Sequence, residues 1–291
     1  MLNGNGEVGF KLDPMTGLGS VSLIVSDLGR STEFYQVSLG FNLHREEGGT
    51  AYLGAGKDDL LILTEQPGAV RLPRRTGLYH YAILTPTRRE LGRVLKNLVQ
   101  TDTPIQGGAD HLVSEAIYLA DPDGNGIEIY RDRPRVDWEY ENGTLKMGTE
   151  QLDFQGVLAE PNGDSKTWEG LDQETRLGHM HLHVADLAEA TEFYENALGF
   201  DFQMNYGGSA AFFSAGGYHH HIGVNTWNGV GASPPPLHST GLRHFSLQLT
   251  NQDEKTRLIE RLDRADVPFE EREDGILVRD PSQNGILIKL R

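Results

Sequence analysis

Apolar and polar residues alternate in short runs at the beginning of the chain. The run "LGSVSLIVSDL", which starts at Leu18, has the period of two that is expected for a half-buried β-strand. The next segment, "GRSTEFYQVSLG", has helical spacing and ends at Gly40, a residue suited to a helix C-cap. Apolar runs around "TAYLGAG" and "DDLLILTEQ" predict further strands. These elements predict a β-α-β-β-β module.

The same order of elements follows directly afterwards. "GLYHYAILTP" predicts a strand and "TRRELGRVLKNLVQTD" an amphipathic helix, after which two or three strands end at Tyr130. The last strand, "GIEIY", comes after an Asp-Pro-Asp-Gly-Asn-Gly turn that begins at Asp121. The first half of the chain is therefore predicted to hold two modules.

The second half repeats the first. "LGSVSLIVSDLGRSTEFYQVSLGFNL" from Leu18 matches "LGHMHLHVADLAEATEFYENALGFDF" from Leu177, and both keep a D-L…E-F-Y…L-G-F frame. The same offset links "DPDGNGIEI" at Asp121 to "DPSQNGILI" at Asp280. Because internal repeats indicate repeated architecture, we predict four modules of α+β class. Their starts are near Gly17, Gly77, Leu177 and Gly241.

This repeat predicts how the chain is divided. Residues 1–16 form an N-terminal tail, 17–130 a first domain of two modules, 131–176 a linker and 177–291 a second domain of two modules. The linker is polar and lacks clear periodicity, but it is long for a plain loop. Its aromatic residues indicate that it packs on a domain, and they are Trp138, Tyr140, Phe154 and Trp168.

Composition narrows the class of partner. The formal net charge is −16 and there is no cysteine, so we expect neither a nucleic-acid nor an anionic-membrane partner, and no disulfide or thiolate chemistry. No apolar run approaches the length needed to span a bilayer. The start of the chain lacks a basic-then-apolar leader, which favours a cytoplasmic protein acting on a small molecule. A homo-oligomer is left open.

Four modules with D-L…F-Y…L-G-F and D-P-x-x-N-G-I marks resemble the vicinal oxygen chelate superfamily. That superfamily includes glyoxalases, extradiol ring-cleaving dioxygenases and antibiotic-resistance proteins. The resemblance implies that modules pair into curved sheets around a metal-binding funnel, with ligands on the first and last strands of the modules. Those strands offer few candidates, which are Ser20 in module one, His80 and Glu128 in module two, His179 with the cluster His219, His220 and His221 in module three, and His244 in module four.

Glu128 is the informative residue among these candidates. Neighbours in a strand face opposite sides, so Glu128 lies across from Ile127 and Ile129. A carboxylate directed to an interior is costly unless it is paired or binds a metal. Two histidines and one carboxylate are the set that holds non-heme Fe(II) with open positions, and Mn(II) accepts the same ligands. His80, Glu128 and His179 form such a set if module two pairs with module three.

The alternative pairs modules within each half. It would give His179 and His244, with His221 as a third ligand, and no carboxylate, because Leu287 stands where module two has Glu128. We favour the pairing of modules two and three, since it gathers the strong ligands into one site. His181 remains an alternative to His179, because both lie on the same strand face.

The stretch from His111 to Glu128 closely resembles the signature of extradiol ring-cleavage dioxygenases, with Ala109 as a minor departure. The resemblance implies that Tyr118 hydrogen-bonds the substrate or the metal-bound oxygen and that His111 lines the pocket near the substrate hydroxyl. "YHHHIGVN" resembles the strand that supplies an acid-base histidine in that family. Strand parity places His220 with Ile222 on the apolar side, so His219 and His221 face the other way, and we favour His221.

The expected function is therefore cleavage of a catechol-type aromatic diol beside its hydroxyls, with Fe(II) and O2. Two alternatives stay open. A glyoxalase-type isomerase or lyase would use the same fold, but its members usually present two carboxylates across the module pair. A metal-free drug-binding protein of the same fold would show neither bound metal nor oxygen uptake.

Overall fold

A computed structural model describes residues 10–163 and 167–291. Residues 1–9 of the predicted tail and 164–166 of the predicted linker lie outside the described residues. The strands are β1 (Gly17–Val25), β2 (Asn42–Glu47), β3 (Thr50–Gly54), β4 (Leu61–Glu65), β5 (Gly77–Leu84), β6 (Gly107–Asp110), β7 (Ser114–Ala120), β8 (Gly126–Asp132), β9 (Tyr140–Glu141), β10 (Thr144–Leu145), β11 (Glu150–Gln151), β12 (Arg176–His183), β13 (Asp201–Tyr206), β14 (Ala210–Ser214), β15 (Ile222–Asn225), β16 (Gly241–Leu249), β17 (Phe269–Arg272), β18 (Gly275–Arg279) and β19 (Gly285–Leu290).

The helices are few, and each long one begins at a capping side chain. They are α1 (Leu28–Val37), α2 (Arg88–Gln100), α3 (Phe154–Ala159), α4 (Leu187–Thr191), which continues as a π-helical segment over Glu192–Ala197, and α5 (Gln252–Arg264). A short 3₁₀ helix spans Arg135–Asp137. Asp27, Thr87 and Asn251 accept hydrogen bonds from backbone N–H groups in the first turns of α1, α2 and α5, which satisfies donors that have no partner within the helix.

The predicted modules are present. Each is one strand, one helix and three strands, and the four first strands are β1, β5, β12 and β16. They begin at Gly17, Gly77, Arg176 and Gly241, so only the third start differs from the expectation, by one residue. The predicted α+β fold with four β-α-β-β-β modules is confirmed.

The modules pair across the two halves of the chain. Among the described residues, sheet A has the order β17-β18-β19-β16-β1-β4-β3-β2 and therefore combines modules one and four. Sheet B has the order β11-β6-β7-β8-β5-β12-β15-β14-β13 and combines modules two and three. The first strands meet antiparallel at both centres, β1 with β16 and β5 with β12. The structure thus adopts the favoured pairing, and the pairing within each half is not formed.

Buried tyrosine–aspartate pairs join the two sheets. Tyr35 of α1, in module one, donates to Asp121 of module two at 2.9 Å. Tyr194, in module three, donates to Asp280 of module four at 3.0 Å. Burial raises the pKa of both tyrosines well above the ordinary value, so both stay protonated donors. The tyrosine of each F-Y motif therefore contacts the aspartate of a D-P motif in the other sheet, and this contact occurs twice.

The segment between the repeats packs closely, as its aromatic residues indicated. β9 and β10 form a hairpin, β11 pairs with β6 at the edge of sheet B, and α3 packs against α2. Trp138 is buried against Tyr218, whereas Tyr140 is exposed. The consequence is that this segment completes one wall of the cavity described below. No helix in residues 10–163 and 167–291 is long and apolar enough to cross a membrane.

Candidate metal centre

Three neighbouring strands at the centre of sheet B bring the predicted ligands together. On β5, Ala82 pairs in register with Glu128 of β8 on one side and with His179 of β12 on the other. His80 lies two residues before Ala82 and therefore faces the same side of the sheet. Because alanine is small, the space above β5 is left to the three larger side chains.

The ligand atoms converge. Glu128 Oε2 lies 3.1 Å from His80 Nε2 and 3.1 Å from His179 Nε2. One donor atom from each residue lies within 4.8 Å of the other two, and all three residues are buried. The predicted set of His80, Glu128 and His179 is thus assembled in space.

The charge states of this group suit a cation. Burial acts to raise the pKa of Glu128, but the His179 and His80 rings lower it, and the net shift is well below the usual range. Burial lowers the pKa of His179 to about 4, against the opposing pull of Glu128. A carboxylate and a neutral imidazole are the protonation states that bind a metal.

Unsatisfied atoms also indicate a metal site. His80 Nε2 and His179 Nδ1 are buried and have no hydrogen-bond partner among the described residues. The 3.1 Å approach of His80 to Glu128 therefore lacks hydrogen-bond geometry. Buried polar groups of this kind call for an explanation. Two imidazoles and one carboxylate fit Fe(II) or Mn(II), and His80 Nε2 is positioned as a ligand atom for such an ion.

Gly178 explains how His179 is held. A Cβ atom at this position would stand 1.9 Å from the Tyr130 hydroxyl, so the tyrosine occupies the space that only glycine leaves. The Tyr130 ring packs at 4.9 Å against the His179 ring. Glycine before the ligand histidine therefore allows a bulky residue to fix the orientation of the imidazole.

The ligands lie at a cavity of about 360 Å³, within the usual range for small-molecule sites. Its wall is largely aromatic and apolar. Among the described lining residues Glu128 is the only acid, and lysine and arginine are absent. Residues that form the apolar wall include Tyr79, Val113, Met147, Met204, Phe212 and Trp227.

His111 and Tyr118 lie where the resemblance implied, since both line the cavity. His111 Nδ1 donates to the Gly148 carbonyl at 2.7 Å, and Nε2 lies 2.7 Å from the Tyr118 hydroxyl. In a neutral ring one nitrogen donates and the other accepts, so the tyrosine donates to Nε2. Burial, and next Glu128, raises the pKa of Tyr118 well above its ordinary value, which keeps the hydroxyl protonated.

The structure does not place His221 in the cavity. Its Nδ1 accepts from the Ala215 N–H at 3.1 Å, and its ring packs beside Tyr218. His220 lines the cavity instead, with its ring 4.1 Å from that of His179. The parity argument for His221 is wrong because strand β15 begins only at Ile222, so the three histidines do not alternate faces. His219 also lines the cavity and is buried.

Sequence reasoning kept His181 only as an alternative to His179, and it missed the residues that come from the segment between the repeats. His181 lines the cavity and has a buried Nε2 without a hydrogen-bond partner among the described residues. Met147, Gly148 and Thr149 line it from the segment between the repeats, where no periodic pattern could have indicated them.

Comparison with known proteins agrees with this architecture. The profile of the Glyoxalase/Bleomycin resistance protein/Dioxygenase superfamily matches residues 17–129 and 176–288. The chain belongs to this superfamily, as the sequence motifs indicated. It is 47% identical over 271 residues to a catechol-2,3-dioxygenase of Bacillus subtilis (strain 168), covering 91% of this chain and 94% of the relative.

Solved structures show the same fold at low identity. A candidate dioxygenase from Bacillus subtilis has a TM-score of 0.65 at 16% identity, covering 97% of this chain and 86% of that chain. Glyoxalase I from Zea mays has a TM-score of 0.57 at 15% identity, with 94% and 92% covered. These structures support the fold, whereas the superfamily profile and the 47% identical relative confirm the predicted superfamily and an oxidoreductase of the dioxygenase type.

Proposed function

We propose that the protein cleaves a catechol beside its two hydroxyl groups, as an extradiol dioxygenase that uses Fe(II) and O2. The observation that carries this proposal is the buried set of two imidazoles and one carboxylate at the cavity. The name of the 47% identical relative supports the choice of a catechol as substrate. The cytoplasmic location stays a prediction, and a homo-oligomer is left open.

His80, Glu128 and His179 would hold the ion. Three protein ligands leave positions open, and bound Fe(II) would there supply a site for the diol and a path for electrons to dioxygen. The carboxylate contributes one negative charge, which offsets part of the charge of the ion in a buried place. The other residues of the cavity would then bind, orient and deprotonate the substrate.

His220 is the residue that we assign as acid–base in place of His221. It lines the cavity beside His179, and burial, followed by the His179 ring, lowers its pKa well below the usual range. A neutral imidazole accepts a proton from a catechol hydroxyl at one ring nitrogen and can later return it. On the other side, Tyr118 and His111 form a hydrogen-bonded pair whose hydroxyl lies close to Glu128, positioned to orient a substrate oxygen.

The wall of the cavity favours a catechol without an anionic substituent. No lysine or arginine stands among the described lining residues, so a ring carboxylate would lose its hydration without gaining the charge of a lysine or arginine side chain. Tyr79, Phe212 and Trp227 instead offer aromatic surfaces, against which an apolar ring substituent gains by burial.

The test is oxygen uptake with catechol after anaerobic loading with Fe(II), together with the absorbance of the ring-fission product. We expect one O2 consumed per catechol by the native protein and a loss of more than about 100-fold in Glu128→Gln, which keeps the size of the side chain but removes its charge. His244→Ala, in the other sheet, is the matched control and should retain activity.

Other outcomes would decide against the proposal. Metal binding without oxygen uptake would favour an isomerase or lyase of the glyoxalase type. Binding of aromatics without either metal or oxygen would favour the drug-binding alternative.

A further inference from the structure

A chain of hydrogen bonds runs from the cavity to Asp132 at the end of β8. His220 Nδ1 lies 2.8 Å from His219 Nδ1, and His219 Nε2 lies 3.0 Å from Asp132 Oδ1. His219 is 1% exposed, whereas the Asp132 side chain is 23% exposed. Asp132 and His219 are called the relay below. Asp132 is the last residue of β8, the strand that also carries the candidate ligand Glu128, so the relay and the ligand share one strand.

The direction of each bond follows for neutral imidazole rings. A carboxylate accepts hydrogen bonds, so His219 donates from Nε2 to Asp132. In a neutral ring the other nitrogen is then an acceptor, so His219 Nδ1 accepts and His220 Nδ1 must donate to it. His220 is left with an unprotonated Nε2, which meets no protein partner within residues 10–163 and 167–291 and belongs to a ring that lines the cavity.

Asp132 is itself held in place from a second direction. The Tyr218 hydroxyl donates to Asp132 Oδ2 at 2.9 Å, and the hydroxyls of Tyr218 and Tyr130 lie 2.7 Å apart. Because Tyr218 donates to the carboxylate, Tyr130 donates to Tyr218. Trp138, from the segment between the repeats, packs at 5.7 Å from the His219 ring and covers the relay. No part of this arrangement contributes a ligand to the candidate metal centre.

We infer that Asp132 and His219 are positioning residues that hold His220 in the tautomer with the proton on Nδ1, so that the lone pair of Nε2 is available to a catechol hydroxyl. The catalytic side of this inference rests on the proposed function, whereas the tautomer itself does not. Accepting the proton at Nε2 makes His220 an imidazolium, and the hydroxyl becomes an oxyanion. The relay orients the ring that performs this transfer and does not touch the substrate.

The first test reads the tautomer directly. Two-bond proton–nitrogen correlation spectra of the full-length, metal-free protein with ¹⁵N-labelled histidine show which ring nitrogen is protonated, and the signal that disappears in His220→Gln identifies the residue. We expect His220 to carry its proton on Nδ1 in the native protein and to lose this preference in Asp132→Asn, whose amide can donate as well as accept. A proton on Nε2 in the native protein would overturn the inference.

The second test separates positioning from structural support. With catechol, Asp132→Asn should lower kcat by about tenfold or more while KM changes by less than about twofold, since a well-placed general base contributes about 100-fold or more. Tyr218→Phe removes the other bond to Asp132 but keeps that to His219, and its effect on kcat should be smaller. His219→Gln is the second variant of the relay if Asp132→Asn folds poorly.

If Asp132→Asn lowered kcat and the amount of bound metal equally and left the His220 tautomer unchanged, Asp132 would have a structural role and the inference would be overturned. If the native protein cleaves no catechol, the proposed function fails, but the spectra still decide the tautomer.

Discussion

Sheets A and B have the same topology and nearly the same set of strands, yet only sheet B carries the candidate metal centre. The positions of His179, His80 and Glu128 in sheet B are taken in sheet A by Ser20, His244 and Leu287. Ala82, which leaves space at the centre of sheet B, corresponds to Ser246.

The centre of sheet A is closed by its own hydrogen bonds. The Ser20 N–H donates to Ser246 Oγ at 2.7 Å, and the two hydroxyls lie 3.2 Å apart. Leu287 is buried at the position of the carboxylate. Small polar groups that satisfy one another need no ion, whereas the His–Glu–His set leaves buried atoms unpaired. The comparison teaches that both sheets offer the same backbone positions, and that the side chains at three of them decide whether a metal site can form.

The largest difference between the two sheets is expected in metal affinity when the equivalent histidines are removed from them. His80→Ala should weaken Fe(II) or Mn(II) binding by more than about 100-fold, because even loss of an outer partner of a metal ligand costs about 10- to 100-fold. His244→Ala should leave the affinity unchanged. Anaerobic titration calorimetry measures both, and comparable losses in the two variants would contradict the assignment.

Placing the missing carboxylate in sheet A should be costly rather than useful. Leu287→Glu buries a charge beside a serine pair that is already satisfied, and we expect a loss of about 3 kcal/mol in the free energy of unfolding. Urea denaturation measures this loss, with Leu287→Met as the volume-conserving control. A stable Leu287→Glu variant that binds a second metal ion would show that the missing carboxylate alone keeps sheet A from holding a metal.

Metal binding should stabilise the protein through sheet B. At a free Mn(II) concentration of about 100 times Kd, linkage gives about 2.7 kcal/mol. Thermal unfolding should therefore shift upward by several degrees, at about 2–4 °C per kcal/mol for a chain of this size. Glu128→Ala should show no shift, and an equal shift in that variant would place the ion elsewhere.

The smallest effects on the free energy of unfolding are expected at the tyrosine–aspartate contacts between the sheets. Tyr35→Phe removes the bond to Asp121 and also the bond that the Tyr81 hydroxyl donates, whereas Tyr194→Phe removes the single bond to Asp280. We expect losses in the free energy of unfolding of about 2 kcal/mol for Tyr35→Phe and about 1 kcal/mol for Tyr194→Phe. Denaturant titration at matched pH tests the order, and a larger loss at Tyr194 would contradict it.

Much of the architecture could be predicted from local patterns. Strand and helix periods, the capping residues and the repeated turns are properties of neighbouring residues, so four modules were visible before any contact was known. Glu128 was conspicuous for a related reason, since a single carboxylate in an apolar strand needs a partner. His80 and His179 were candidate ligands because they stand on first strands of modules in a recognised pattern.

Other features depend on distant parts of the chain. His221 was preferred over His220 because the alternation was extended into residues that precede β15, and only the fold shows where the strand begins. The lining residues Met147 and Gly148, and the contact of Asp132 with His219, join segments that are far apart in sequence and carry no shared period.

By itself, the sequence of this protein determined the four modules and the chemistry of the three candidate ligands, because both depend on residue type and local spacing. Tertiary structure decided that β5 meets β12 and β1 meets β16, which brings His179 to His80 and Glu128. The same strands would be buried whether modules pair within one half of the chain or across the two halves. The choice between these pairings depends on how complete sheets pack, which no local sequence pattern indicates.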